Sequence, residues 1–143
     1  MSTLTAQDVI ATLGMERHPE GGWYRQTFED SGRSNGRSRS TAIYYLLEAG
    51  DASHWHRVDA VEVWHYYAGA PMKLRISDGQ DVLELLLGAA LDEGQRPQMV
   101  VPAGAWQAAT STGAWTLVGC TVAPGFRFSG FELAPKDWAP AKR

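Results

Sequence analysis

From Gly22 to Ala134 the chain holds no helical period; it runs in short alternating or apolar stretches separated by turn residues. Runs rich in β-branched and aromatic residues, bounded by Gly, Pro, Asn and Asp, read as strands. "GWYRQTF", "TAIYYLL", "MKLRIS", "DVLELLL", "MVVP", "QAAT" and "WTLVGCTV" are such runs. "EDSGRSNGRSRS" and "LDEGQRPQ" read as loops, "DGQ" as a hairpin-type turn, and "APGFRFSGFELAP" as short closing aromatic strands. About ten short strands with turn signals between them predict an all-β sandwich or barrel. No internal repeat and no linker interrupts the chain, so one domain over 1–143 is expected. The N-terminus departs from this pattern. Thr5 and Asp8 form a capping-box pair, Val9, Ile10 and Leu13 a stripe, and Gly14 a stop, which together predict one short helix.

The stretch "SHWHRVDAVEVWHYYAG" concentrates the polar chemistry. On a strand His54 and His56 share a face, about 6.7 Å apart, and Glu62, Trp64 and Tyr66 form a second such set. A turn over Arg57 to Ala60 that folds the second run back on the first brings two imidazoles and a carboxylate together. That is the donor set of a two-histidine, one-carboxylate metal site, suited to Fe, Mn, Ni or Zn. The alternative is that these groups hydrogen-bond one another in a polar pocket without a metal. His65 has the opposite parity and is expected to face away, unless a β-bulge intervenes.

Bulk properties narrow the partners. The net charge of -3 and the lack of a basic cluster argue against nucleic acid. Arg33, Arg37 and Arg39 lie in a Ser/Gly-rich stretch and read as solvated loop residues. No apolar run approaches the roughly 20 residues of a membrane helix, and "MSTLTAQDVI" has no signal-peptide pattern. A cytoplasmic protein without membrane contact is expected. The single cysteine, Cys120, lies in an apolar run and reads as a buried thiol rather than a nucleophile.

Two motifs carry a resemblance. Gly50, His54-x-His56, Glu62 and Gly69 follow the first signature of the cupin superfamily, with the spacing from Glu62 to Gly69 intact and the earlier intervals off by one or two residues. Pro102, Gly104 and Gln107 follow the second, with glutamine where the fourth metal-binding histidine usually stands. "HPEGGWYRQTF", "STAIYYLL", "VPAGAWQAA" and "LVGCTVAPGFRFSGFELA" are similar, in order, to blocks of one subgroup, the DUF985 or cupin 5 family, in which that glutamine is the usual residue. The resemblance implies a small double-stranded β-helix (jelly-roll) barrel, commonly a homodimer, akin to the sugar-nucleotide epimerase-like cupins. It brings no settled reaction.

The candidate metal ligands are then His54, His56, Glu62 and Gln107, the last a weaker donor that can also hydrogen-bond a substrate. Candidate catalytic groups are His54 and Glu62 as bases and Tyr66 as an acid. Glu20, Tyr24, Arg25, Trp64, Trp106 and Gln107 are candidate ligand-binding residues. For the aromatics the competing expectation is a filled core, and for "HPEGG" a tight turn into the first strand. The expected function is an enzyme of isomerase or epimerase type acting on a sugar, a nucleotide-sugar or a similar small polar molecule. A non-catalytic binding barrel without metal is the alternative, and an interaction module with a vestigial pocket a third. Polar groups inside an apolar barrel are costly unless used, which disfavours the third.

Overall fold

The computed structural model describes residues 3–141. Met1, Ser2, Lys142 and Arg143, part of the domain expected over 1–143, lie outside the described residues. The helix α1 (Ala6–Leu13) forms as the capping box requires: the Thr5 hydroxyl accepts from Asp8 N–H and the Asp8 carboxylate accepts from Thr5 N–H. Gly14, in the left-handed region at φ 64°, ends it. Its apolar stripe packs on Leu46 and, with Trp23, Trp115 and Leu117, forms a small core of its own.

The strands are β1 (Glu16–Arg17), β2 (Trp23–Glu29), β3 (Arg33–Ser34), β4 (Arg37–Ser38), β5 (Thr41–Glu48), β6 (Ala52–Val58), β7 (Val61–Gly69), β8 (Met72–Ser77), β9 (Val82–Leu87), β10 (Gln98–Val101), β11 (Trp106–Ser111), β12 (Trp115–Ala123) and β13 (Phe131–Leu133). Single 3₁₀ turns lie at Leu91–Glu93 and Phe128–Gly130. The segment read as a loop before β5 holds the β3–β4 hairpin, turned by Asn35 and Gly36, both at positive φ.

Two antiparallel sheets face each other as a double-stranded β-helix, in agreement with the all-β expectation. Their orders are β1-β2-β5-β12-β7-β10 and β13-β6-β11-β8-β9. The main core, with Leu47, Met72, Leu74, Leu87, Val101 and Val118 fully or almost fully buried, fills the space between them. The link from β6 to β7 over Asp59 and Ala60 is short, as expected, but the two strands do not pair. They belong to opposite sheets, so the connection crosses the barrel and sets His56 and Glu62 on facing walls.

Pairing between β6 and β11 contains a register shift. Gln107 stands opposite His56 and Ala109 opposite Ser53, so three steps on β6 match two on β11. The extra residue is a β-bulge, and it reverses the parity of the strand at that point. Ser53 and His56 are both buried, whereas His54 is only half-buried.

Candidate functional site

Between the sheets, beside the core, lies a cavity of about 410 Å³. β2 and β5 contribute Tyr24, Gln26, Thr41, Ile43 and Tyr45 to its wall, β7 Glu62 and Trp64, and β12 Cys120 and Val122. His56 and Val58 face them from β6, and Phe126 and Phe128 cover it from the segment after β12. His18 and Glu20 enter from the "HPEGG" turn.

That turn exists because of its glycines. Gly21 and Gly22 lie at φ 108° and 80°. A Cβ on Gly21 would collide with the backbone carbonyl of Ala52, and one on Gly22 would stand 2.7 Å from Tyr45 Oη and 2.8 Å from Leu46 O. His18 N–H donates to Gly22 O at 2.9 Å and Gly21 N–H to His18 O at 3.0 Å. The closed turn swings Glu20 into the barrel, and His54 N–H donates to Glu20 O at 2.8 Å, tying it to β6.

The Glu20 carboxyl is buried among polar groups. Oε2 accepts a short hydrogen bond from the Ser53 hydroxyl. Oε1 stands 3.4 Å from both His18 Nδ1 and His56 Nε2. Each of those nitrogens is a lone pair in the neutral ring. His18 Nδ1 accepts from Glu20 N–H at 3.1 Å, and His56 Nδ1–H is spent on His54 O at 2.8 Å, which leaves Nε2 bare. Burial pushes Glu20 up and both imidazoles down. The two observations act in the same direction: the bare ring nitrogens beside Oε1 and the burial of all three groups favour a neutral Glu20 between neutral imidazoles.

Glu62 is arranged differently. Its carboxylate accepts from Gln107 Nε2 at 2.9 Å, and the Gln107 Oε1 accepts from Trp64 Nε1–H at 2.8 Å. The indole is a donor only, so it fixes which way round the amide lies. The Cys120 thiol is a further donor to Glu62 and is itself held well up by burial, so it remains a thiol. Burial raises Glu62 to about 7, against the pull of His56.

Several expected residues stand elsewhere. His54 does not join His56 and Glu62. The bulge turns it to the far side of β6, where its ring bonds Pro135 O at 2.9 Å. Tyr66 has the face of Glu62 but lies beyond Trp64 at the filled end of the barrel, with its hydroxyl donating to Gly69 O at 2.6 Å. Trp106 points outward because Gln107 points inward. It packs on Trp138, ring centroids 4.6 Å apart, beneath the Arg57 guanidinium. Gln107 faces inward, but its amide is already oriented at both ends, Oε1 by Trp64 and Nε2 by Glu62. The four-residue donor set His54, His56, Glu62 and Gln107 therefore does not form, and the expected two-histidine centre does not fit these residues. Among the described residues no group of three or more His, Cys, Asp or Glu is set to hold a metal ion.

Glu20, Tyr24, Arg25, Trp64, His56 and Glu62 do line the cavity, with the exposed Arg25 at its rim donating to Gly14 O at 3.3 Å. His65 faces outward to Thr121. Sequence reasoning missed His18 and Tyr45 as wall residues, and Cys120 as a neighbour of Glu62. The histidine two residues before Glu20 in the glycine turn was the available signal for His18; for the other two only the register decides.

A model of the family described as cupin superfamily (DUF985) matches residues 7–134. No curated protein matches the chain. A crystal structure of a Shewanella oneidensis protein is 36% identical, with TM-score 0.89, over 92% of this chain and 85% of that one. A hypothetical protein from Leishmania major is 31% identical, with TM-score 0.83, over 92% and 88%. A dTDP sugar isomerase from Desulfovibrio desulfuricans is 16% identical, with TM-score 0.59, over 82% and 83%, a likeness of fold alone.

Proposed function

Because the chain belongs to the DUF985 family of the cupin superfamily, whose barrel hosts unrelated chemistries, its reaction has to be read from its own cavity, and we propose a proton-moving enzyme of isomerase or epimerase type acting on a small polar, sugar-like substrate. One observation carries this reading. Glu20, its carboxyl pushed up by burial and set 3.4 Å from His56 Nε2, shares the cavity with a second carboxyl, Glu62, raised to about 7. Two carboxyls pushed into different protonation states are the arrangement of an acid and a base.

In the proposed step the Glu62 carboxylate takes a proton from carbon next to a substrate carbonyl. The electron pair moves to the carbonyl oxygen. Glu20, with its proton directed at His56 Nε2, returns a proton to the opposite face of that carbon. Glu62 then loses its proton to solvent and Glu20 regains one, so nothing is oxidised or reduced. Trp64, Phe126 and Phe128 supply the apolar part of the wall around the substrate. Fe, Mn, Ni or Zn has no part in this step, because His54 turns away and the Gln107 amide is engaged. Because the step needs a carbonyl beside the labile C–H, keto-sugars and their nucleotides are the first substrates to try.

The test is solvent exchange. In deuterium oxide the protein is expected to place deuterium on one carbon of a keto-sugar or its nucleotide, read by proton NMR. Glu62→Gln is expected to slow this at least about a hundredfold. A panel of keto-sugars and their nucleotides that all bind without exchange would instead support the non-catalytic binding barrel.

The assembly that goes with this reading is a homodimer. The outer face of the six-stranded sheet beyond α1 presents Phe28, Tyr44, Val61, Val63, Tyr67 and Val100, with Arg25 beside Tyr44 and His65 beside Gln98. Phe28, Tyr67 and Val100 are each more than half exposed. Such a face is suited to a second copy packed sheet on sheet.

A further inference from the structure

Resting on that proton-transfer reading, we infer that His18 is a catalytic hydrogen-bond donor, its neutral Nε2–H directed at the substrate oxygen that gains charge when carbon is deprotonated. The argument begins with the tautomer. Glu20 N–H donates to His18 Nδ1, so the ring's one proton sits on Nε2. The side chain is 5% exposed and lines the cavity. Aromatic rings clamp it: Tyr24 meets it edge-on at 4.6 Å and Tyr45 at 5.8 Å, with Phe128 and Phe131 beyond. Nε2 has no hydrogen-bond partner among the described residues. No side-chain nitrogen or oxygen sealed from solvent lacks a partner there either. The free N–H therefore opens onto cavity space.

A fixed donor that opens onto the cavity with no partner among the described residues is what a developing oxyanion requires. Burial holds the imidazole below its ordinary range. It thus stays an N–H donor without becoming a competing acid, the behaviour of a neutral electrophilic imidazole. In the step, the C–H electron pair moves to the carbonyl oxygen and the His18 N–H bond stays intact. The substrate class narrows accordingly to molecules with a carbonyl beside the labile C–H, aldoses, ketoses or keto acids, and excludes simple polyols.

The experiment is nitrogen-15 NMR of histidine-labelled protein at pH 7, with the His18 signals assigned by their loss in His18→Gln. The expected spectrum shows a neutral ring with Nδ1 bare and hydrogen on Nε2. Added acetohydroxamate, a small planar mimic of the enediol that offers a polarised carbonyl oxygen, is expected to move the Nε2–H proton downfield. His18→Phe, which keeps the ring packing, is expected to bind acetohydroxamate at least about tenfold more weakly, with part of the loss recovered in His18→Gln. An Nδ1–H tautomer, a charged ring, no response to saturating acetohydroxamate, or wild-type affinity in His18→Phe would each overturn the inference. None of these readouts needs turnover, so they stand apart from the exchange test of Glu62. If His18 fails here, exchange lost in Glu62→Gln still supports proton transfer. If exchange is absent from both proteins, proton transfer fails while the His18 tautomer still stands.

Discussion

Glu62 is held in a conformation that costs stability. Its carboxyl titrates at about 7 when folded and at 4.5 as a free side chain. Between those values the folded protein binds the extra proton, so stability from this group is complete below about pH 4.5 and is lost as the pH rises through 7. At pH 8 the loss is on the order of 3 kcal/mol. His18 and His56 are lowered and act in the opposite sense around their free value of 6.5. The difference between wild type and Glu62→Gln isolates the carboxyl. The variant is expected to gain stability relative to wild type from pH 5 to pH 8 in urea titrations; a flat difference curve would remove the raised carboxyl. A second residue tunes the same group. The Gln107 amide lowers Glu62 by donating to it. Gln107→Leu is therefore expected to move the exchange-against-pH midpoint upward, with a downward move counting against the assignment.

At the scale of elements, two local irregularities position the site. The bulge in β6 sends His56 inward and His54 outward. A uniform strand would have placed both inside, which is why simple parity put His54 in the cavity. The glycine turn brings His18 and Glu20 into the barrel, where an ordinary loop would leave them in water. Gly22 needs both a positive φ and the space a Cβ would take beside Tyr45 and Leu46. Gly22→Ala is expected to cost about 2 kcal/mol and to slow exchange more than it lowers the melting temperature would suggest, because Glu20 shifts with the turn. Thermal unfolding beside the exchange assay separates the two effects. Unchanged exchange in a folded variant would detach the turn from the chemistry.

At the scale of the whole molecule, the barrel has three surfaces with different fates. One end of the six-stranded sheet is covered by α1. The inner faces are filled by core at one end and left open as the cavity at the other. The remaining outer face, around Tyr67, has no cover among the described residues, with Tyr44 at its margin packed against the α1 core. Tyr67 lies across Gly119, in the space a Cβ would take, and meets Tyr44 edge-on at 6.1 Å between ring centroids, giving an aromatic surface. Placing charges there by Tyr67→Lys with Val100→Lys is expected to convert a dimer to a monomer in light scattering at micromolar concentration. A wild-type protein already monomeric under those conditions would remove the dimer.

Much of this protein was legible in its residues. Period-two apolar runs between turn residues gave strands close to those observed, since side chains alternate on a pleated backbone whatever the fold around them. Thr5, Asp8 and Gly14 delimited α1 because caps act within one turn of chain. The cavity wall at Glu20, Tyr24, Trp64 and Glu62 could be anticipated from strand parity and family blocks. What only tertiary structure decided was convergence. Whether β6 and β7 pair or face each other depends on sheet order, a contact between distant strands that neither run encodes alone. The β6 bulge is an agreement of register with β11, about 50 residues away in sequence, and no local pattern marks it. The fate of Gln107 depended on Trp64 arriving from the opposite sheet to occupy its carbonyl. His18 became a candidate only when the folded turn aligned Glu20 N–H with one ring nitrogen, because a tautomer is set by the partner in space and not by neighbours along the chain.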